Sequence, residues 1–304
     1  MNGLNEIVNL LKVIRLHIVL GGILAFSVGA LLAAANGGAL NLPRALLFYL
    51  IVFLGDLSTH FSNDYFDSKT DKMHTQSLKK FFMGKRILVK KPYLLSKART
   101  IAIVLLLGSI ALAGVVVLLG IATWEVIVIA ASANFLGWVY SAPPIRLSSK
   151  GLGELAIAFC AGFAIPAFGY LAIKGQLDWL FCVFSLPFML YAFVLALSLE
   201  GPDIELDRMG KRKNIGVRLG KRVVFGVILA VTFSAFAYFV SAIIIWGVLA
   251  NFLALAVFSG VPLAAGIAGF LGRYKKNAEV YCVVNVLALF TFNLLMIGYL
   301  VVYI

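Results

Sequence analysis

The chain has 304 residues, 62% of them hydrophobic and 13% charged, with a formal net charge of +13 at pH 7. A water-soluble domain carries about 25% charged residues, so a soluble fold is excluded and a membrane-embedded one is expected. The basic balance would suit nucleic acid, but the placement of the bases gives it another explanation.

Residues 1–15 contain Lys12 and Arg15, with Leu4, Ile7, Leu11 and Ile14 at helical spacing. They read as an interfacial amphipathic lead-in rather than a cleaved leader. Runs long enough to cross about 30 Å of hydrocarbon follow near 16–36, 44–62, 98–120, 123–141, 152–173, 179–199, 223–243, 245–270 and 279–303. The expected fold class is therefore all-α, a polytopic bundle of nine transmembrane helices, with 1–304 as one domain.

Against these spans, 24 of the 26 Lys and Arg residues sort to one side, and only Arg44 and Lys174 to the other. The positive-inside rule then sets the N-terminus in the cytoplasm of an integral protein of the cell membrane. Topology and contact with anionic lipid account for the charge, and no nucleic-acid partner is expected. Cys160, Cys182 and Cys282 lie inside apolar runs without metal-ligand spacing and read as buried thiols. His17, His60 and His74 are too dispersed for a metal cluster.

The acids are few and grouped. Seven of thirteen lie in two short stretches: Asp64, Asp67 and Asp71 after the second span, and Glu200, Asp203, Glu205 and Asp207 after the sixth. Positions 64, 67 and 71 repeat as 200, 203 and 207, each 136 residues later, both on the cytoplasmic side. The i, i+3, i+7 spacing puts each set on one stripe of a helix. Asn63 adds a further oxygen ligand, and Asp56 and His60 carry the first stripe deeper into its span. Ionisable groups in such a segment cost about 2.5–3.5 kcal/mol each and line cavities. Carboxylates one turn apart repel, so a cation belongs between them. Mg²⁺ takes hard oxygen ligands and shares one or two carboxylates with substrate phosphates, and Lys211, Arg212, Lys213 and Arg218 could meet the remaining phosphate oxygens.

These residues resemble the UbiA superfamily of intramembrane prenyltransferases. "NDYFDSKTD" (63–71) matches the family's N-D-x-x-D-x-x-x-D motif and "DIELD" (203–207) its D-x-x-x-D motif. "YSAPPIRLSSKGLGEL" (140–155) resembles the Y-S-x-P-P loop, and "DRMGKRKNIGVRLG" (207–220) the stretch after the second motif. The resemblance implies helices around a central cavity, with both motifs at its cytoplasmic mouth. It also implies Mg²⁺-dependent transfer of a polyprenyl group from its diphosphate to an acceptor, usually aromatic. Carried over by position, Asn63, Asp67, Asp71, Asp203 and Asp207 hold Mg²⁺ and diphosphate, with Asp64 in support. Arg212 and Lys213 match diphosphate-contacting positions, and Tyr140, Ser141 and Lys150 a loop near the reacting centre. The N-x-x-R-P-L segment of 4-hydroxybenzoate members is absent. In its place "FFMGKRILVKKPYLLSKA" (81–98) resembles members that prenylate 1,4-dihydroxy-2-naphthoate for menaquinone, which favours that acceptor over 4-hydroxybenzoate or a glycerol-phosphate lipid.

Other positions carry two readings. Tyr140 could stabilise an allylic cation through its ring face or anchor a span end at the interface. Asp56 and His60 could position an acceptor or relay a proton, or form a polar contact between helices. Asn134 is an acceptor-site candidate or an interhelical hydrogen bond. Arg15 is an acceptor-site candidate or a positive-inside charge. A secondary transporter is the rival class, but its ionisable groups would gather near the midplane, whereas these sit at span ends.

Overall fold

The computed structural model describes residues 3–68, 87–209, 212–246, 249–272 and 274–304. Among them every regular element is helical. In chain order these are α1 (Gly3–Leu11), α2 (Leu16–Ala35), α3 (Leu42–Asp67), α4 (Ile87–Lys90), α5 (Leu95–Leu118), α6 (Glu125–Ser141) and α7 (Gly153–Phe159). A π-helical turn (Cys160–Ala164) joins α7 to α8 (Ile165–Lys174). Then come α9 (Trp179–Glu200), α10 (Ile204–Met209), α11 (Ile215–Trp246), α12 (Leu249–Phe258), α13 (Gly260–Leu271) and α14 (Tyr274–Tyr303).

Local chemistry sets several of these boundaries. Asn41 caps α3 by accepting from the Arg44 N–H at 3.0 Å, with a proline in the first turn, and Asp178 caps α9 through the Phe181 N–H at 3.0 Å. Gly175 ends α8 in the left-handed conformation (φ 86°), which costs glycine little.

Eight of the described helical segments are long and apolar enough to cross a membrane, and the chain is an integral membrane protein. The span expected at 123–141 is the 17-residue α6. At 1.5 Å per residue it covers about 26 Å, so eight of the nine expected spans are matched by described helices of 18 residues or more and the ninth by this shorter one. The eighth span is interrupted at Ser259, between α12 and α13.

Leu46, Leu107, Phe135, Phe233 and Leu253 face outward and exposed. In hydrocarbon this surface is solvated rather than sticky. Trp124 and Trp179, at the starts of α6 and α9, are exposed at the same end of the bundle, as an aromatic belt requires. Cys182 belongs to the exposed set, which corrects its reading as a buried thiol; Cys160 is half-buried and Cys282 buried.

Packing is closest where side chains are smallest. A Cβ on Gly29 of α2 would stand 2.0 Å from the Pro166 carbonyl oxygen of α8, and one on Gly169 2.0 Å from that of Phe26, so the two backbones touch. At the end away from the acidic motifs, Tyr170 donates to Asp178 at 2.8 Å, and Asn36 donates to both, tying α2 to α8 and α9. Helix α3 packs on α5 and α6, α9 on α11, and α14 on both α9 and α2. The ring formed by α2, α3, α6, α7, α9 and α14 surrounds the cavity that holds the site.

Candidate active site

Both acidic stretches reach one cavity of about 520 Å³. Its polar mouth includes Asn63, Asp64, Asp67, Tyr140, Asp207 and Arg212, and its apolar depth includes Val52, Ala133, Phe188, Leu195 and Phe290.

Asp67, in the last turn of α3, accepts from Ser141 Oγ at 3.0 Å and from Arg146 at 3.0 Å. Arg212 stands 3.9 Å from the same carboxylate and 3.4 Å from Oδ1 of Asp207. One guanidinium therefore spans the two motifs, at the place where mutual repulsion of the acids calls for a positive charge. Asp207 is held from behind. Asn214 donates to its Oδ2 at 2.8 Å, and the Asn214 Oδ1 accepts from the Val217 N–H at 2.9 Å, capping the first turn of α11. Glu154, fully buried, accepts from the Ile215 N–H at 2.7 Å and fastens the same turn to α7. The Asp64 carboxylate pairs with Arg15 at 2.6 Å, joining the start of α2 to α3.

The i, i+3, i+7 pattern does not survive as one helix in the second stretch. Helix α9 stops at Glu200, Gly201–Asp203 form a 3₁₀ turn, and α10 restarts at Ile204. Pro202 lacks the N–H that an α-helix would use there and clashes with the preceding turn. The break turns Asp207 inward, where it is 1% exposed.

Several expected site residues are placed elsewhere. Lys150 is exposed, with its Nζ on the Pro144 carbonyl at 3.1 Å, and Lys213 is exposed, with its N–H on the Ser149 carbonyl. Neither lines the cavity. Ser141 reaches the site through Asp67, and Tyr140 lines the cavity wall, so it does not face lipid as an interfacial anchor would. Asp71, the side chain of Asp203, His74, Lys211 and the 81–86 part of the acceptor-type segment lie outside the described residues.

The sequence reading passed over Arg146 as a topological charge. Its backbone is left-handed (φ 45°), a conformation that costs a non-glycine residue of order 1 kcal/mol, and its guanidinium donates to Asp67. The available signal was its place inside the Y-S-A-P-P-I-R loop. Glu154 and Asn214, also passed over, carried only the signal of being polar next to a span end.

The donor set suits a hard divalent cation. Asn63 and Asp207 line the cavity, and Oδ1 of each is buried and accepts no hydrogen bond from the described residues. Among the described residues no three His, Cys, Asp or Glu form a cage.

A helical membrane bundle whose two separated aspartate stretches share one cation-rich cavity mouth is the class that fold and site define. Residues 23–303 match the UbiA prenyltransferase family, and the chain belongs to it. The 1,4-dihydroxy-2-naphthoate octaprenyltransferase of Bacillus subtilis is 24% identical over 154 residues, 49% of this chain and 49% of that protein. The 2-carboxy-1,4-naphthoquinone phytyltransferase of Synechocystis sp. is 26% identical over 156 residues, 51% and 50% respectively. The chain thus spans about half the length of the curated relatives it matches. A digeranylgeranylglyceryl phosphate synthase structure superposes with a TM-score of 0.70 at 17% identity, over 98% of this chain and 99% of that one. A UbiA homolog from Archaeoglobus fulgidus, solved bound to DMAPP and Mg²⁺, gives 0.68 at 18%, over 95% and 99%. These two likenesses establish the shared fold.

Proposed function

We propose that this chain, acting as one domain over 1–304, transfers a polyprenyl group from its diphosphate to an aromatic acceptor with Mg²⁺, and that the acceptor is 1,4-dihydroxy-2-naphthoate. The observation that carries the proposal is Arg212 reaching both Asp67 and Asp207 at the mouth of one cavity. The naphthoate and naphthoquinone chemistry of the two curated relatives supports the acceptor, and the Mg²⁺ and DMAPP bound by the Archaeoglobus homolog support the donor and the metal.

Asn63, Asp67 and Asp207 would hold the cation, with Asp71 and Asp203 assigned to it by motif position and Asp64 braced by Arg15 in support. When bound, Mg²⁺ neutralises the diphosphate oxygens and makes diphosphate a better leaving group. Arg212 and Arg146 add fixed positive charge from the protein side. The C1–O bond of the donor breaks with its electron pair leaving on diphosphate, and C1 bonds to the electron-rich ring carbon that bears the carboxylate; the carboxylate then leaves as CO2 and its C–C bonding pair restores the aromatic ring. Tyr140, at the cavity wall, offers a ring face to the cationic C1, worth about 1–2 kcal/mol. The apolar walls from α9 and α14 take the first units of the prenyl tail and exclude water that would quench the cation. The sorting of Lys and Arg orients the mouth, both motifs and the N-terminus to the cytoplasm.

The test is purified protein in nanodiscs with radiolabelled geranylgeranyl diphosphate, Mg²⁺ and three acceptors: 1,4-dihydroxy-2-naphthoate, 4-hydroxybenzoate and a glycerol-phosphate lipid. A labelled prenyl-naphthoquinol product is expected. Labelled product from another acceptor alone would overturn the acceptor assignment, and absence of product from all three would overturn prenyl transfer.

A further inference from the structure

We propose that Glu154 is a positioning residue for the donor diphosphate: by holding the first turn of α11 against α7, it sets Arg212 beside Asp67 in register with Arg146. This deepens the prenyl-transfer reading above and rests on it.

The two segments that carry the arginines are fastened side by side. The Lys213 N–H donates to the Ser149 carbonyl at 2.9 Å, the Arg218 guanidinium donates to the Lys150 carbonyl at 2.9 Å, and Glu154 accepts the Ile215 N–H at 2.7 Å. Between these contacts Gly151 has a φ of 80°, and a Cβ there would stand 3.1 Å from the Lys213 carbonyl oxygen. Glycine supplies both the left-handed turn and the close approach of the two backbones. The Ser149 N–H in turn donates to the Arg146 carbonyl at 3.0 Å, and Arg212 immediately precedes Lys213. Each cation therefore sits next to a joined point, and both reach Asp67, Arg146 at 3.0 Å and Arg212 at 3.9 Å. The two guanidiniums form one cationic face rather than two independent charges.

Of these joints, that of Glu154 is the buried one. Lys213 and Arg218 are exposed, whereas Glu154 is 0% exposed. The N–H groups that open a helix have no partner inside it. At the start of α11, Asn214 Oδ1 serves the Val217 N–H and Glu154 serves that of Ile215, three residues after Arg212. A carboxylate at this place also faces the positive end of the helix. Glu154 is itself held by α7, which packs on α9. Its neighbour Gly153 carries the Tyr140 ring, which would lie 3.0 Å from a Cβ at that glycine. The first turn of α7 thus seats Tyr140 on one side and the turn bearing Arg212 and Asn214, the brace of Asp207, on the other. Glu154 does not line the cavity, so it acts through these residues and not on the substrate.

The test compares wild type with Glu154→Leu, Glu154→Gln, Arg212→Ala and the double variant Arg212→Ala/Glu154→Leu, in nanodiscs at saturating Mg²⁺. Donor affinity is read twice. One readout is the KM for geranylgeranyl diphosphate with whichever of the three acceptors wild type uses; the other is equilibrium titration of that donor without acceptor. Glu154→Leu should weaken the donor by about 5–20-fold on both, the effect of a lost hydrogen bond whose N–H is left without an acceptor. The acceptor KM should stay within about twofold. Glu154→Gln keeps an oxygen for the Ile215 N–H and should remain within about threefold of wild type. In the Arg212→Ala background, Glu154→Leu should add no more than about twofold, since residues that act through one another do not add. Neither readout depends on the folded fraction. Gly151→Ala, which strains the same joint from its outer side, should give the same loss of donor affinity and serves where the Leu variant does not fold. Unchanged donor affinity in a folded Glu154→Leu or Gly151→Ala variant overturns the inference, as does a fully multiplicative double variant or a Gln variant as impaired as Leu. Each of these outcomes leaves prenyl transfer standing. Absence of wild-type product with any acceptor removes the parent reading itself.

Discussion

Removal of Arg212 addresses the joint between the two motifs. Its guanidinium lies 3.4 Å from Asp207 and 3.9 Å from Asp67, and its side chain is 17% exposed. At an effective dielectric of about 20, each contact is about 4–5 kcal/mol of gross Coulomb attraction. Desolvation of the three groups and the neighbouring charge of Arg146 offset most of that, leaving about 1.5–3 kcal/mol for a charge-assisted interaction. On the donor diphosphate, the same loss corresponds to roughly 10–150-fold in kcat/KM, since 1.4 kcal/mol is a factor of ten. Arg212→Ala should therefore raise the KM for geranylgeranyl diphosphate and lower kcat/KM within that range, with the naphthoate KM little changed. Arg212→Lys should fall between the two, because an ammonium keeps the charge but cannot span two carboxylates as a planar fork does. Steady-state kinetics with each substrate varied in turn makes the measurement. A KM change confined to the aromatic substrate would refute the placement of Arg212 on the diphosphate.

Asp67→Ala should reduce turnover by about 10³-fold or more, since it leaves Ser141, Arg146 and Arg212 without their common acceptor; a product assay at saturating donor checks it. EDTA should abolish wild-type turnover and excess Mg²⁺ restore it, and undiminished activity in EDTA would remove the metal from the reaction. Arg146→Gly relieves the left-handed backbone at that residue, so thermal unfolding in detergent should shift upward or stay level while kcat/KM falls about tenfold or more. Gly169→Ala drives a methyl into the Phe26 carbonyl and should cost about 1–3 kcal/mol or more, read as a lowered unfolding temperature without change in either KM.

The spans and the acids were legible because each has a one-dimensional cause. Hydrocarbon thickness fixes the length of an apolar run, the cost of charge in lipid makes Asp56, Asp64 and Asp67 conspicuous, and the side-chain period of a helix aligns them on α3. What failed to be legible turned on backbone path. Arg146 and Lys150 are two cations of one loop, and Arg212 and Lys213 are sequence neighbours; in each pair one side chain turns toward Asp67 and the other to the surface. The 64/200, 67/203 and 71/207 repeat suggested two equivalent helical stripes, but Pro202 breaks the second, so Asp67 meets Arg212 and Asp207 while Asp64 turns to Arg15.

Composition and periodicity alone thus determined that this chain is helical, lies in a membrane and carries two acidic stretches at span ends. Only the tertiary structure decided which cations face them, how Asp207 is braced by Asn214 and that Asn134 donates to Ser109 across two helices. The first set follows from the chemistry of single segments against lipid and water; the second depends on where the backbone carries distant residues, as when Arg146 and Arg212, 79 and 145 positions beyond Asp67, arrive at its carboxylate, and no local pattern encodes that geometry.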